Sequence, residues 1–204
     1  MEKKVFFESD GLKLEGLLNK SQSAKGVVIT HPHPLYGGDM YNNVVESIKK
    51  VYREKGYTTL RFNFRGVGES RGDYDNDQGE QEDLRSALSF IASTGINQVE
   101  LAGYSYGAWI NSLAACKDAS IKNIVLVSPP VAFIDFKPVT SIPGLKLVVT
   151  GSIDDYAPPN LVKKALPAWN KEATLEIING ADHFYGGYTK KLESVLRTFI
   201  HGTN

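Results

Sequence analysis

The chain has 204 residues, 42% of them hydrophobic and 23% charged, and its 23 Lys plus Arg balance 23 Asp plus Glu. That length suits a single domain over residues 1–204, and the even charge, with no basic stripe, excludes nucleic acid as a partner. No apolar run is long enough to span a membrane, no signal-like stretch follows Met1-Glu2-Lys3-Lys4, and the lone Cys116 permits no internal disulfide; an untargeted, cytoplasmic protein with Cys116 packed in a helix is expected.

Polar and apolar residues alternate around Asp10-Gly11, as in Leu12-Lys13-Leu14-Glu15, which predicts an antiparallel hairpin with one solvated face. After the polar loop 20–25, Gly26-Val27-Val28-Ile29-Thr30 is a short β-branched run suited to a strand buried on both faces. Val44, Ile48, Val51 and Tyr52 fall at helical spacing within 42–55, and Gly56 stands where a helix C-cap glycine belongs. The pattern then repeats. A strand over 57–64 and a polar loop over 65–79 lead to a helix with the stripe Leu84, Ala87, Leu88 and Ile91 behind an acidic first turn, ending at Gly95. A strand at 99–102, a helix over 108–115, strands at 124–127 and 145–149, a helix over 160–166, a strand at 174–178 and a helix carrying Leu192, Val195, Leu196 and Phe199 complete the chain. Buried strands alternating with helices predict an α/β fold: a mostly parallel sheet, an antiparallel N-terminal edge hairpin and helices on both faces.

In such a sheet the working residues lie at the carboxyl ends of strands. One such end holds Gly103-Tyr104-Ser105-Tyr106-Gly107, a Gly-x-Ser-x-Gly sequence that predicts a tight, strained strand-to-helix turn presenting the Ser105 hydroxyl. Others hold His31-Pro32-His33-Pro34, the segment Gly151 to Pro158 with Asp154 and Asp155, and Gly180-Ala181-Asp182-His183-Phe184. Serine, acid and histidine arrive in the chain order of an α/β-hydrolase triad. A serine hydroxyl needs a base to accept its proton, and an imidazole that titrates near neutrality can take that proton and return it; His183 is the candidate, with His31, His33 and His201 as competitors. The His31/His33 pair lacks a third ligand at suggestive spacing, so no metal is expected. The 65–79 loop lacks both the P-loop lysine and dinucleotide spacing, so no nucleotide cofactor is expected either.

Together, His31-Pro-His-Pro-Leu-Tyr-Gly-Gly38, Arg61-Phe-Asn-Phe-Arg-Gly-Val-Gly-Glu-Ser70, Gly103-Tyr-Ser-Tyr-Gly107 and Ala181-Asp-His-Phe184 resemble the α/β-hydrolase superfamily. The likeness is to small, lidless bacterial serine hydrolases related to dienelactone hydrolases and serine aminopeptidases, and it covers nearly the whole chain. It implies Ser105 as nucleophile, His183 as base and Asp154 as the acid, since Asp154 matches the family's acid-loop position; Asp155 and Asp135 are the alternatives. Asp182 reads as a turn former. The first oxyanion donor is expected from the Tyr106 N–H. Because Pro32 and Pro34 lack an N–H, the second comes from His33 or from Leu35 onward, and the related His-Gly-x-Pro pattern implies His33. The loop beginning Arg65-Gly66-Val67-Gly68-Glu69-Ser70, with Asn63 where many members carry Asp, reads as structural.

Only about seventeen residues separate the strands ending near Val127 and starting near Leu145, too few for a helical lid. The expected site is therefore open, bordered by Tyr36, Tyr104, Phe133, Tyr156, Phe184 and Tyr185, and suited to a small apolar or aromatic ester. The expected activity is carboxylic ester hydrolysis through an acyl-enzyme. A thioesterase, amidase or peptidase would use the same residues, and a non-catalytic ligand- or partner-binding member of the fold is the alternative of another class.

Overall fold

In the computed structural model, which describes residues 1–118 and 121–200, the apolar runs assemble into one eight-stranded sheet with spatial order β1-β2-β4-β3-β5-β6-β7-β8. The elements in chain order are β1 (Lys3–Ser9), β2 (Leu12–Asn19), β3 (Lys25–Thr30), α1 (Asn43–Glu54), β4 (Thr58–Phe62), α2 (Gln78–Ser93), β5 (Gln98–Tyr104), α3 (Tyr106–Lys117), β6 (Ile124–Val127), β7 (Leu145–Gly151), α4 (Pro159–Trp169), β8 (Thr174–Ile178) and α5 (Thr189–Phe199). A single 3-10 turn, Pro34–Tyr36, follows β3. The hairpin β1–β2 pairs antiparallel with itself and with β4, and every pairing from β4 through β8 is parallel.

Alternate residues of the central strands enter two separate cores. Val28, Leu101 and Val148 pack with α2, α3 and α4, whereas Val27, Ile29, Ala102 and Val149 pack with α1 and α5. Both faces are covered, which is why these strands read as continuous apolar runs. The connection from β6 to β7 contains no helix or strand, so no lid crosses the carboxyl ends. Strand order reverses around β3, whose neighbours are β4 and β5, and the crevice outside β3 and β5 is the place where an open α/β sheet accommodates a ligand.

Two elements exceed what periodicity suggests. The helix α2 begins at Gln78, so that only Glu80 of the expected acidic turn falls in its first turn, and it buries both Glu80 and Asp83; Asp83 receives hydrogen bonds from Arg65 Nε, Arg65 Nη2 and Ser9 Oγ. Helix α4 runs through Pro167 to Trp169, whose ring packs against Phe136 at 5.3 Å while its carbonyl accepts from the Ile142 N–H at 2.7 Å. Tertiary contacts there outweigh the local cost of a proline in the last turn. Cys116 lies in the last turn of α3.

Candidate active site

The turn from β5 into α3 places Ser105 at φ 54°, ψ −116°, a conformation that side-chain-bearing residues rarely adopt. It is possible because the chain passes very close on both sides. A Cβ on Gly103 would lie 2.7 Å from the Gly107 carbonyl carbon, and one on Gly107 would lie 2.6 Å from the carbonyl carbon of Thr30 at the end of β3. The Ser105 N–H is fastened to the Val127 oxygen of β6 at 2.9 Å. The residue is only 9% exposed, so the hydroxyl sits on the floor of a cleft and is less open to solvent than the missing lid suggests.

The loop after β8 brings His183 to this floor, with Nε2 at 2.9 Å from Ser105 Oγ. On the other side of the ring, Nδ1 lies 2.9 and 3.0 Å from the two carboxylate oxygens of Asp154, in the loop after β7. Burial acts to raise the Asp154 pKa, but the hydrogen bond and charge of His183, a hydrogen bond from Ser128 and the N–H of Ala157 outweigh it and hold the carboxyl below its ordinary range. The N–H groups of Tyr156 and Ala157 donate to Oδ1 at 2.9 and 2.8 Å. Asp155 is exposed, as is Asp135, which pairs with Lys137; Asp182 is exposed and accepts from the Phe184 N–H in a local turn.

Of the competing histidines, His31 is fully buried with both ring nitrogens engaged, and burial pushes its pKa down to about 4. His33 accepts at Nδ1 from the Leu35 N–H at 3.2 Å, and His201 lies outside the described residues. This bond also occupies Leu35, the alternative oxyanion donor. The N–H groups of His33 and Tyr106, by contrast, donate to no group among the described residues, and Tyr106 opens α3, where unpaired N–H groups and the positive end of the helix dipole favour negative charge.

Above these atoms lies a cleft of about 480 Å³ lined by Tyr36, Tyr104, Phe133, Tyr156 and Phe184, together with Pro130 and Ile134. The rings form a chain: Tyr36 to Phe133 at 6.0 Å, Phe133 to Tyr156 at 5.7 Å and Tyr156 to Phe184 at 6.2 Å. No Asp, Glu, Lys or Arg occurs among the described lining residues. Tyr104 lines the cleft while almost wholly buried, its hydroxyl donating to the His183 carbonyl at 2.8 Å. The expectation for Tyr185 is corrected. With φ 56° the chain reverses there and sends the ring into the core, fully buried, with its hydroxyl 2.8 Å from Ser128 Oγ beneath the site.

Sequence reasoning missed Ser128, itself at φ 47°, and Ile134, since neither stands in a motif. It also missed Asp77, hidden in an acidic loop, whose carboxylate accepts from Tyr106 and Trp109 of α3. No group of three or more His, Cys, Asp or Glu side chains able to hold a metal occurs among the described residues, and no helix among them is long and apolar enough to cross a membrane.

Comparison with known proteins places this arrangement among relatives. An uncharacterised protein of Rickettsia prowazekii (strain Madrid E) is 32% identical over 208 residues, spanning 96% of this chain and 87% of that protein. The structure of an alpha-beta serine hydrolase homologue from Coxiella burnetii superposes with a TM-score of 0.90 at 32% identity, covering 96% of each chain. A Xanthomonas campestris serine hydrolase described as lacking a lid superposes with a TM-score of 0.89 at 28% identity, over 97% of this chain and 92% of that one. Residues 17–139 match the family of X-Pro dipeptidyl-peptidases (S15 family). The chain therefore belongs to the S15 peptidase family and is a lidless hydrolase of the α/β serine hydrolase superfamily.

Proposed function

We propose that the protein hydrolyses carboxylic esters of small, uncharged substrates with an aromatic or apolar group, through a serine-bound acyl intermediate. The observation that carries this reading is the continuous line from Ser105 Oγ through the His183 ring to Asp154, with each contact at 2.9 Å. In the first half-reaction Ser105 Oγ attacks the ester carbonyl carbon while its proton passes to His183 Nε2; the N–H groups of His33 and Tyr106 hold the oxyanion. The tetrahedral adduct collapses, His183 returns the proton to the departing alcohol, and the acyl group stays on Ser105. Water then attacks with His183 as base, and the carboxylic acid leaves. Asp154 keeps Nδ1 protonated and stabilises the imidazolium.

A reading without chemistry leaves the Ser105 backbone unexplained, since such a conformation costs of order 1–3 kcal/mol and is kept where surrounding structure enforces it for a purpose. The family name raises peptide cleavage as a second reading. A dipeptide removed from a free N-terminus brings an α-ammonium into the site, and no carboxylate among the described residues faces the cleft to receive it. Esters and thioesters bring no such charge.

The test is labelling with a fluorophosphonate, followed by turnover of aryl esters, thioesters and X-Pro amides. Wild type should label and cleave the aryl esters fastest, and Ser105→Ala should do neither. Equal labelling of Ser105→Ala removes the serine from the chemistry, and preferential cleavage of X-Pro amides replaces the ester reading with the peptidase one. Asp154→Asn should lower kcat by roughly 10⁴-fold, as with other triads, whereas a larger loss from Asp155→Asn would reassign the acid.

A further inference from the structure

Between β4 and α2 the chain carries two consecutive non-glycine residues in left-handed conformations, Asn76 at φ 48° and Asp77 at φ 76°. Asp77 stands at the N-cap of α2, yet its side chain caps nothing; the capping bonds are made by its backbone oxygen, which accepts from the N–H and Nε2 of Gln81. The carboxylate instead turns towards α3, where it accepts from Tyr106 Oη at 2.8 Å and Trp109 Nε1 at 2.9 Å. Tyr74 Oη lies 3.5 Å away.

Tyr106 immediately follows Ser105, and its ring, almost wholly buried, rests against the His33 ring at 4.5 Å. His33 in turn packs against Tyr74 at 5.2 Å. One carboxylate thus holds the aromatic cluster that joins the two segments bearing the free N–H groups. The Tyr106 hydroxyl remains a donor at all ordinary pH values, because burial first, then the nearby Glu80 charge and the Asp77 bond, push its pKa far up.

We propose that Asp77 is a positioning residue that sets the geometry of the oxyanion site by fixing Tyr106 against His33. This rests on the hydrolase reading above. Misplacing a reacting group by a fraction of an ångström lowers the rate of the chemical step more than substrate binding, because the oxyanion exists only along the reaction path. Asp77 does not touch substrate.

Three variants separate the carboxylate from the backbone. Asp77→Gly suits φ 76° and retains the backbone cap while removing the carboxylate. Asp77→Asn keeps the shape but puts an NH2 in place of one of the two oxygens that accept from Tyr106 and Trp109 and removes the charge, and Tyr106→Phe removes only the hydroxyl. Each is assayed for kcat and KM on an aryl ester, for inhibition by phenylboronic acid, and for thermal midpoint. All three should lower kcat by roughly 10- to 100-fold with KM unchanged, and weaken the boronate in parallel. The Asp77→Gly, Tyr106→Phe double variant should lose little more than either single one. Wild-type kcat in Tyr106→Phe and Asp77→Gly, or a loss that tracks only the thermal midpoint, overturns the positioning role and leaves the hydrolase reading standing. A wild type that neither labels nor cleaves any substrate overturns both.

Discussion

At the end of β3, His31 donates from Nδ1 to the Pro32 carbonyl at 2.6 Å and accepts at Nε2 from the Phe64 N–H at 3.0 Å, tying the segment that carries His33 to the end of β4. It is fully buried, and burial first, with His33 nearby, lowers its pKa from 6.5 to about 4. The unfolded chain therefore binds a proton near pH 6.5 that the folded chain refuses until about pH 4. Between these values the unfolded state carries more protons, so stability falls as pH falls, by about 3 kcal/mol in total. His31→Gln preserves one donor and one acceptor without titrating. Urea unfolding at pH 7 and pH 4.5 should show a smaller loss for the variant than for wild type; equal losses would mean that His31 is not the group responsible. Chain order and the resemblance already favoured His183 among the four histidines, and their surroundings add the reason: His183 faces Ser105, whereas His31 faces backbone on both sides.

Among elements, the junction of β3, β5 and α3 is closely packed, because Gly107 lies directly against the Thr30 backbone. Gly107→Ala brings a methyl group to 2.6 Å from the Thr30 carbonyl carbon, and strand or helix must shift to admit it. A loss of about 1–3 kcal/mol is expected from such overpacking, measured by denaturant unfolding, together with a fall in kcat as Ser105 moves. An unchanged midpoint would show that α3 can slide away from β3 freely. This junction was legible from the pentapeptide, since a turn that sharp demands glycines whatever surrounds it. The extension of α4 past Pro167 was not, because it depends on Trp169 finding Phe136 and Ile142 from other parts of the chain. Tyr185 escaped for the same reason: an aromatic two residues beyond His183 reads as cleft lining until its backbone reversal is seen.

For the molecule as a whole, the edge hairpin, the loop after β4 and helix α2 meet at the buried Arg65–Asp83 pair. Asp83 accepts from the guanidinium at 2.8 Å, from the Arg65 N–H at 2.9 Å and from Ser9 of β1 at 2.8 Å. Asp83→Ala removes the buried carboxylate that Arg65 bonds, leaves the guanidinium only the exposed Asp75 at 3.7 Å among the described residues, and should cost about 3 kcal/mol, read from urea unfolding. A loss below 1 kcal/mol, the range of exposed pairs, would mean that water reaches the guanidinium and that the pair does not fasten the hairpin. The sequence by itself determined the layered α/β architecture, the strained serine turn and the order of serine, acid and histidine, because periodicity and turn chemistry are local properties of the chain. Only the tertiary structure decided that Tyr185 belongs to the core, that Leu35 spends its N–H on His33, and that Asp77 reaches across to Tyr106. Those outcomes depend on which distant groups come within hydrogen-bonding reach, and no spacing along the chain encodes that distance.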